Sequence, residues 1–160
     1  MTFLKFIFAE FLSFLPGLIG LIVAPVYSGQ NMWYNTLAHS TLTPEGWVFS
    51  VVWSILYCLI GLALFFIMIQ SNNKNNRKDK ISAYTLFGIN IVLNALWSLV
   101  FFGAQSPTLA LILLMGLIIT AIFMARAFFR LSKTAFWLVV PYILWLMFAF
   151  YLNGMIIYLN

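Results

Sequence analysis

Residues 46–69 read GWVFSVVWSILYCLIGLALFFIMI. No charged side chain interrupts the run. At 1.5 Å per residue, a helix of this length crosses the roughly 30 Å of a bilayer's hydrocarbon. The backbone there must satisfy its own hydrogen bonds, so the run predicts a transmembrane helix. Four further apolar segments surround it, at about residues 3–24, 81–102, 108–129 and 134–159. The first is expected to stop at Pro25, and Gly103 to Pro107 reads as a tight turn. A β-barrel would need strands of alternating polarity, and that pattern is absent. The expected fold is an all-α membrane protein. It is one domain over residues 1–160, a five-helix transmembrane bundle.

Composition agrees with this reading. Of 160 residues, 64% are apolar and 7% are charged. Soluble domains carry about 45–50% apolar and about 25% charged residues. A soluble enzyme, a secreted domain and a disordered tail are therefore excluded. Lys5 followed by an apolar run resembles a signal peptide, but Glu10 interrupts the run and no small-residue cleavage site follows. The segment is expected to be a retained first helix. A single cysteine, Cys58, rules out an intramolecular disulfide. Its apolar neighbours Leu56, Tyr57, Leu59 and Ile60 predict a buried packing residue. One histidine (His39) and three acids leave few ligands for a metal cage, so no metal site is expected.

The net charge is +5, yet no basic patch carries a nucleic-acid motif, so no nucleic-acid partner is expected. The basic residues alternate between linkers instead. Lys5 opens the chain. Lys74, Arg77, Lys78 and Lys80 lie between the second and third segments, and Arg126, Arg130 and Lys133 between the fourth and fifth. The other two linkers hold no Lys or Arg. The positive-inside rule then predicts an N-terminus inside the cell and a C-terminus outside.

Polar groups within spans are costly, so their placement is informative. Asn90, Asn94, Trp97 and Ser98 share one face of the third helix by spacing. Trp53 and Tyr57 share a face of the second. Tyr142, Trp145, Ala149, Leu152 and Asn153 share a face of the fifth. Two readings stay open. The stripes line an apolar cavity with a few polar groups, or Asn joins helices and Trp fills space. Residues 27–45 form a long polar loop with Trp33 and Tyr34, either a lid over such a cavity or an ordinary surface segment. Gly20 and Ala24 form a small-residue pair that suits internal packing or a dimer contact.

Trp33-Tyr34, Pro44, Trp47-Val48, Trp53 and Leu56-Tyr57, in that order, resemble the signature around the second helix of the translocator protein family. Its members are also called tryptophan-rich sensory proteins or peripheral-type benzodiazepine receptors. Leu93-Asn94, Trp97 and Phe101-Phe102-Gly103-Ala104 resemble the end of that family's third helix. Pro141-Tyr142, Trp145, Phe148-Ala149 and Leu152-Asn153 resemble its fifth. The resemblance implies a five-helix bundle, commonly a homodimer. Its cavity would bind protoporphyrin IX, haem, and isoquinoline carboxamide or benzodiazepine ligands. No cofactor is required; the tetrapyrrole is a ligand. By the family pattern Tyr34, Pro44, Phe49, Trp53, Asn94, Trp97, Trp145, Ala149 and Leu152 fall at pocket-lining positions.

The chain departs from the pattern in places. His39-Ser40 replaces a Lys-Pro common in relatives, and Leu42 replaces an aromatic. Pro44-Glu45 replaces Pro-Pro. Ser98-Leu99 stands where a proline usually follows Trp97, which puts a kink of the third helix in doubt. Nothing basic follows Lys133, so the animal sterol pattern is incomplete. With the Asn- and Lys-rich linker, this points to a bacterial cell membrane. Membrane lipid and a porphyrin or haem are the expected partners. Three functions compete: a tetrapyrrole receptor or sensor, a light- and oxygen-dependent porphyrin-degrading enzyme acting through Trp53 and Trp145, and a porphyrin or lipid transporter. No conventional catalytic constellation supports the enzyme. No inverted repeat supports the transporter.

Overall fold

The computed structural model describes residues 2–28, 33–71 and 76–160, with side chains of 23–28 left aside. Lys74, residues 29–32 of the expected lid and the Ala24 side chain thus lie outside the described residues.

Five long helices account for nearly all of the described chain. They are α1 (Thr2–Ser28), α3 (Gly46–Ile69), α4 (Arg77–Ser98), α5 (Pro107–Leu131) and α6 (Lys133–Leu159). A short helix α2 (Trp33–Thr36) sits in the loop after α1, and a π-helical turn (Leu99–Gly103) extends α4. All five long helices are long and apolar enough to cross a membrane. Among the described residues there is no strand. The helices pack around a ring in the order α1, α3, α6, α5, α4 and back to α1.

Local chemistry explains the boundaries. α1 runs past Pro25 to Ser28, because a proline in a transmembrane helix removes one backbone donor without ending the helix when neighbours accommodate it. Pro107 opens α5 at a position where the missing N–H is no loss. Ser132 alone separates α5 from α6. Its hydroxyl accepts the Ala135 N–H at 3.3 Å and caps α6. Gln105, at φ 50°, turns the chain between the π-helical turn and α5.

One end of the bundle is basic. The Lys5 ammonium donates to the Met68 carbonyl at 3.1 Å, and Lys80 donates to the Gln70 carbonyl at 2.6 Å. Both cations thus meet the carbonyl-rich end of α3, where the helix dipole favours positive charge. Arg130 pairs with Asp79 at 3.2 Å across α5 and α4, an exposed contact of small energetic weight. Further in, α1 approaches α3 closely. A Cβ at Gly61 would lie 2.6 Å from a Glu10 carboxyl oxygen and 2.7 Å from the Ser13 hydroxyl, so Gly61 makes the approach possible.

Cys58 corrects the expectation of a buried thiol. It is exposed on the outer face of α3. In a soluble protein apolar neighbours signal a core. In a membrane span the lipid is as apolar as the core, so neighbours carry no information about facing.

Candidate functional site

The middle of the bundle is held by a buried hydrogen-bond network. Asn90, Asn94, Tyr57 and Tyr142 are each at most 5% exposed. The Tyr142 hydroxyl donates to the Asn90 carbonyl at 2.7 Å, and the Asn94 amide donates to the Tyr142 hydroxyl at 3.0 Å. The Tyr57 hydroxyl donates to the Asn94 carbonyl at 3.2 Å. The Asn90 amide donates to the Leu117 carbonyl at 3.1 Å and the Thr120 hydroxyl at 2.8 Å. Four helices, α3 to α6, are tied at one level. Asn94, expected to line a pocket, here has both ends of its amide engaged between helices. Trp53 covers the network, its ring 5.4 Å from Tyr57 and 6.2 Å from Tyr142.

α4 and α6 both run from the basic end toward the loop. One turn beyond the network in that direction, the character changes. Trp97 lies three residues after Asn94, and Trp145 three after Tyr142. Trp97 stacks on Phe101 at 5.0 Å and 17°. Trp145 meets Phe49 at 5.8 Å and Phe148 at 5.4 Å. Here the π-helical turn matters. The Ala104 N–H donates to the Leu99 carbonyl at 2.9 Å, five residues back. The wider turn places Phe101 and Phe102 against the loop, 6.0 and 5.9 Å from Tyr34, with Trp33 5.6 Å from Phe101. Such π segments recur at functional sites. This one begins directly after Ser98, at Leu99, so the chain departs from α geometry there without a proline.

The loop closes the same end. Tyr34 and His39 meet at 4.5 Å with their rings tilted by 51°, and His39 Nε2 lies 3.0 Å from the Tyr34 carbonyl. Burial pushes the Tyr34 phenol above its usual range. The Asn160 side chain joins Ala38 at two points. It accepts the Ala38 N–H at 2.9 Å and donates to the Ala38 carbonyl at 3.1 Å. Ser40 meets the Tyr151 hydroxyl at 3.2 Å. Beneath these contacts lies a cavity of about 290 Å³, lined by Tyr34, His39, Ser40, Thr43, Pro44, Gly46 and Phe49.

Three of the nine sequence-predicted site residues, Tyr34, Pro44 and Phe49, line that cavity. Trp145 stands directly behind Phe49. Trp97 reaches the loop through Phe101. Trp53 and Asn94 belong to the mid-bundle layer. Ala149 is half-buried and Leu152 buried on α6. Sequence reasoning missed that Phe101 and Phe102 pack against Tyr34 of the loop, because nothing in a run of apolar residues announces a π-helical turn. It also missed Thr43 and Gly46, which have no period to betray them. Among the described residues, no three His, Cys, Asp or Glu side chains group as metal ligands.

Several buried polar atoms at this end lack a hydrogen-bond partner. They are the indole N–H groups of Trp97 and Trp145, His39 Nδ1, and both amide atoms of Asn153. Buried polar groups are nearly always paired, so such a cluster calls for an explanation.

A model described as the TspO/MBR family matches residues 12–159. The chain is 37% identical to a tryptophan-rich protein TspO of Chlorobaculum tepidum, over 89% of this chain and 92% of that protein. It is 31% identical to a tryptophan-rich sensory protein of Cereibacter sphaeroides, over 86% of this chain and 82% of that one. It is also 31% identical to a translocator protein of Bos taurus, over 88% and 83% respectively.

Proposed function

The chain belongs to the TspO/MBR family, and on that premise we propose that it is a membrane receptor or sensor. Its ligands in this reading are tetrapyrroles such as protoporphyrin IX and haem, and isoquinoline carboxamide or benzodiazepine-type compounds. The names of relatives as sensory and translocator proteins support the receptor class. One observation carries the ligand class. Two aromatic clusters back the cavity under the loop, Trp145 behind Phe49 on one side and Phe101 with Trp97 behind Tyr34 on the other. Flat apolar rings stack well on such surfaces. Uncharged walls with a few polar atoms suit an apolar macrocycle with polar substituents.

Ligand sites usually span about 300–1,000 Å³, so the cavity of about 290 Å³ stands at the lower edge of that range. A macrocycle therefore enters as the loop lifts from α6. The lid in this reading is the segment from Leu37 to Thr43, held by Asn160 and Tyr151. The basic end, with Lys5, Lys80 and Arg130, faces the cytoplasm by the positive-inside rule. The loop and its cavity then open outward. Reporter fusions at both termini test this orientation, and a cytoplasmic signal from the C-terminal fusion overturns it.

Titration of the purified protein with protoporphyrin IX, followed by tryptophan quenching, tests the ligand. Saturable quenching is expected. Trp53→Phe combined with Trp145→Phe weakens binding by about tenfold or more, as loss of buried aromatic anchors does. Equal affinity in the double variant removes the proposed site.

A further inference from the structure

The outer face of α4 and α5 carries a groove that belongs neither to the mid-bundle network nor to the loop-side cavity. It measures about 440 Å³ and is lined by Lys78, Ile81, Ser82, Thr85, Leu86 and Phe123. Ile81 and Phe123 are each more than half exposed, which in a span means contact with lipid. The polar groups of the groove gather toward one end. Lys78 stands in the first turn of α4, at the basic end of the bundle, and is exposed. Among the described residues it has no ion-pair partner, and its acidic neighbour Asp79 is engaged by Arg130. The N-terminal end of the α4 dipole adds partial positive charge there. Ser82 follows Lys78 by four residues, about 6 Å along the helix, and Thr85 follows by three more. Both residues are exposed, and neither hydroxyl makes a hydrogen bond among the described residues. Thr120 shows the usual alternative in a span, its hydroxyl donating back to the Gly116 carbonyl at 2.9 Å. On α5 the exposed Arg126 follows Phe123 by three residues, toward the same basic end.

We propose that this groove binds one anionic phospholipid from the leaflet at the basic end. A phospholipid presents a phosphate at the interface, ester groups just beneath it, and acyl chains below. The groove answers each part in kind. Lys78 meets the phosphate, as basic pockets between transmembrane helices do for anionic headgroups. The Ser82 and Thr85 hydroxyls donate to ester carbonyls, which relieves the cost of an unpaired hydroxyl in hydrocarbon. Ile81, Leu86 and Phe123 pack against a chain. The cation sets the selectivity. A zwitterionic lipid has the same phosphate, esters and chains, but its own positive charge opposes Lys78. A second copy of the chain fits less well. A two-fold axis along the membrane normal keeps both basic ends at one level, so the same face on both subunits brings Lys78 and Arg126 toward like charges.

The test offers the full chain in detergent phosphatidylglycerol and phosphatidylcholine with the same acyl chains, in competition. Native mass spectrometry counts the lipid retained. The wild type is expected to keep one phosphatidylglycerol in preference to phosphatidylcholine. Lys78→Gln, a change at an exposed position, lowers that preference by about fivefold, the scale of one basic residue beside an anionic lipid. Lys133→Gln removes an exposed charge that does not line the groove, and leaves the preference as in wild type. Phe123→Ala weakens retention of both lipids, because it removes a wall that both chains share. An equal loss in Lys78→Gln and Lys133→Gln would mean diffuse attraction to a basic surface, and overturns the site. An unchanged preference in Lys78→Gln overturns it as well. A wild type that retains neither lipid but forms dimers, which Phe123→Ala dissociates, gives the groove to a second copy and overturns the proposal.

Discussion

Two layers of the bundle use the same residue types to opposite ends. At mid-height, Asn90, Asn94, Tyr57 and Tyr142 exchange hydrogen bonds across four helices. Toward the loop, the buried indole nitrogens of the half-buried Trp97 and Trp145 and the amide of the buried Asn153 exchange none. Both layers lie on the same inward stripes of α4 and α6, so spacing alone does not separate them. What separates them is satisfaction. A paired polar group in a membrane protein ties helices together, while an unpaired one is a cost that a ligand can relieve. The lower layer is scaffold, and on the proposed function the upper layer is the site.

The largest expected effect breaks the scaffold. Asn90→Leu leaves the Leu117 carbonyl without its amide donor and the Tyr142 hydroxyl without its acceptor, and should cost about 1–3 kcal/mol of stability. Thermal unfolding in detergent measures this. A variant as stable as wild type would show that the mid-bundle network does not hold the helices.

Next comes the loop. Asn160→Ala removes both hydrogen bonds to Ala38, worth about 0.5–1.5 kcal/mol each. Exchange of the Ala38 amide should quicken by about tenfold or more, with the mid-bundle amides unaffected. Uniform quickening across the protein would mean that the loop and the scaffold are one cooperative unit.

A smaller effect is a pH dependence at the loop. Burial raises the Tyr34 phenol above its ordinary value of 10.0. The neutral form is therefore favoured by folding. Its contribution is complete below pH 10 and is lost as pH rises through the folded value. Above pH 10 the wild-type Tm should fall more steeply than that of Tyr34→Phe. Parallel curves would place Tyr34 in water.

The smallest effect sharpens the contrast by its near absence. Trp97→Phe keeps a ring against Phe101 and removes an N–H that bonds nothing. Its Tm should stay within about 2 °C of wild type, where Asn90→Leu falls well below. A large drop in Trp97→Phe would show that the upper layer is scaffold too.

The five spans were legible because a helix that must cross hydrocarbon writes its length directly as an uncharged run. The stripes on α4 and α6 were legible for a similar reason, since a polar side chain in such a run has to face inward. The partners of those side chains were not. Asn94 and Asn153 look alike in spacing, and only the packed structure shows that one is paired and the other is not. The extension of α1 past Pro25 escaped because proline is a weaker stop in lipid than in water. The π-helical turn escaped because it lengthens one turn without changing composition. The outward facing of Cys58 escaped because lipid and core look the same to an apolar neighbour.

The most direct test of the division into scaffold and site is the thermal shift produced by saturating protoporphyrin IX in three proteins. A ligand raises Tm only through binding to the folded state. Wild type and Tyr142→Phe, which weakens the scaffold alone, should show the same upward shift from different starting points. Trp145→Phe, which alters the ring behind Phe49, should show a much smaller one. An equal shift in the tryptophan variant, or a shift lost in Tyr142→Phe with its fold intact, would contradict the account.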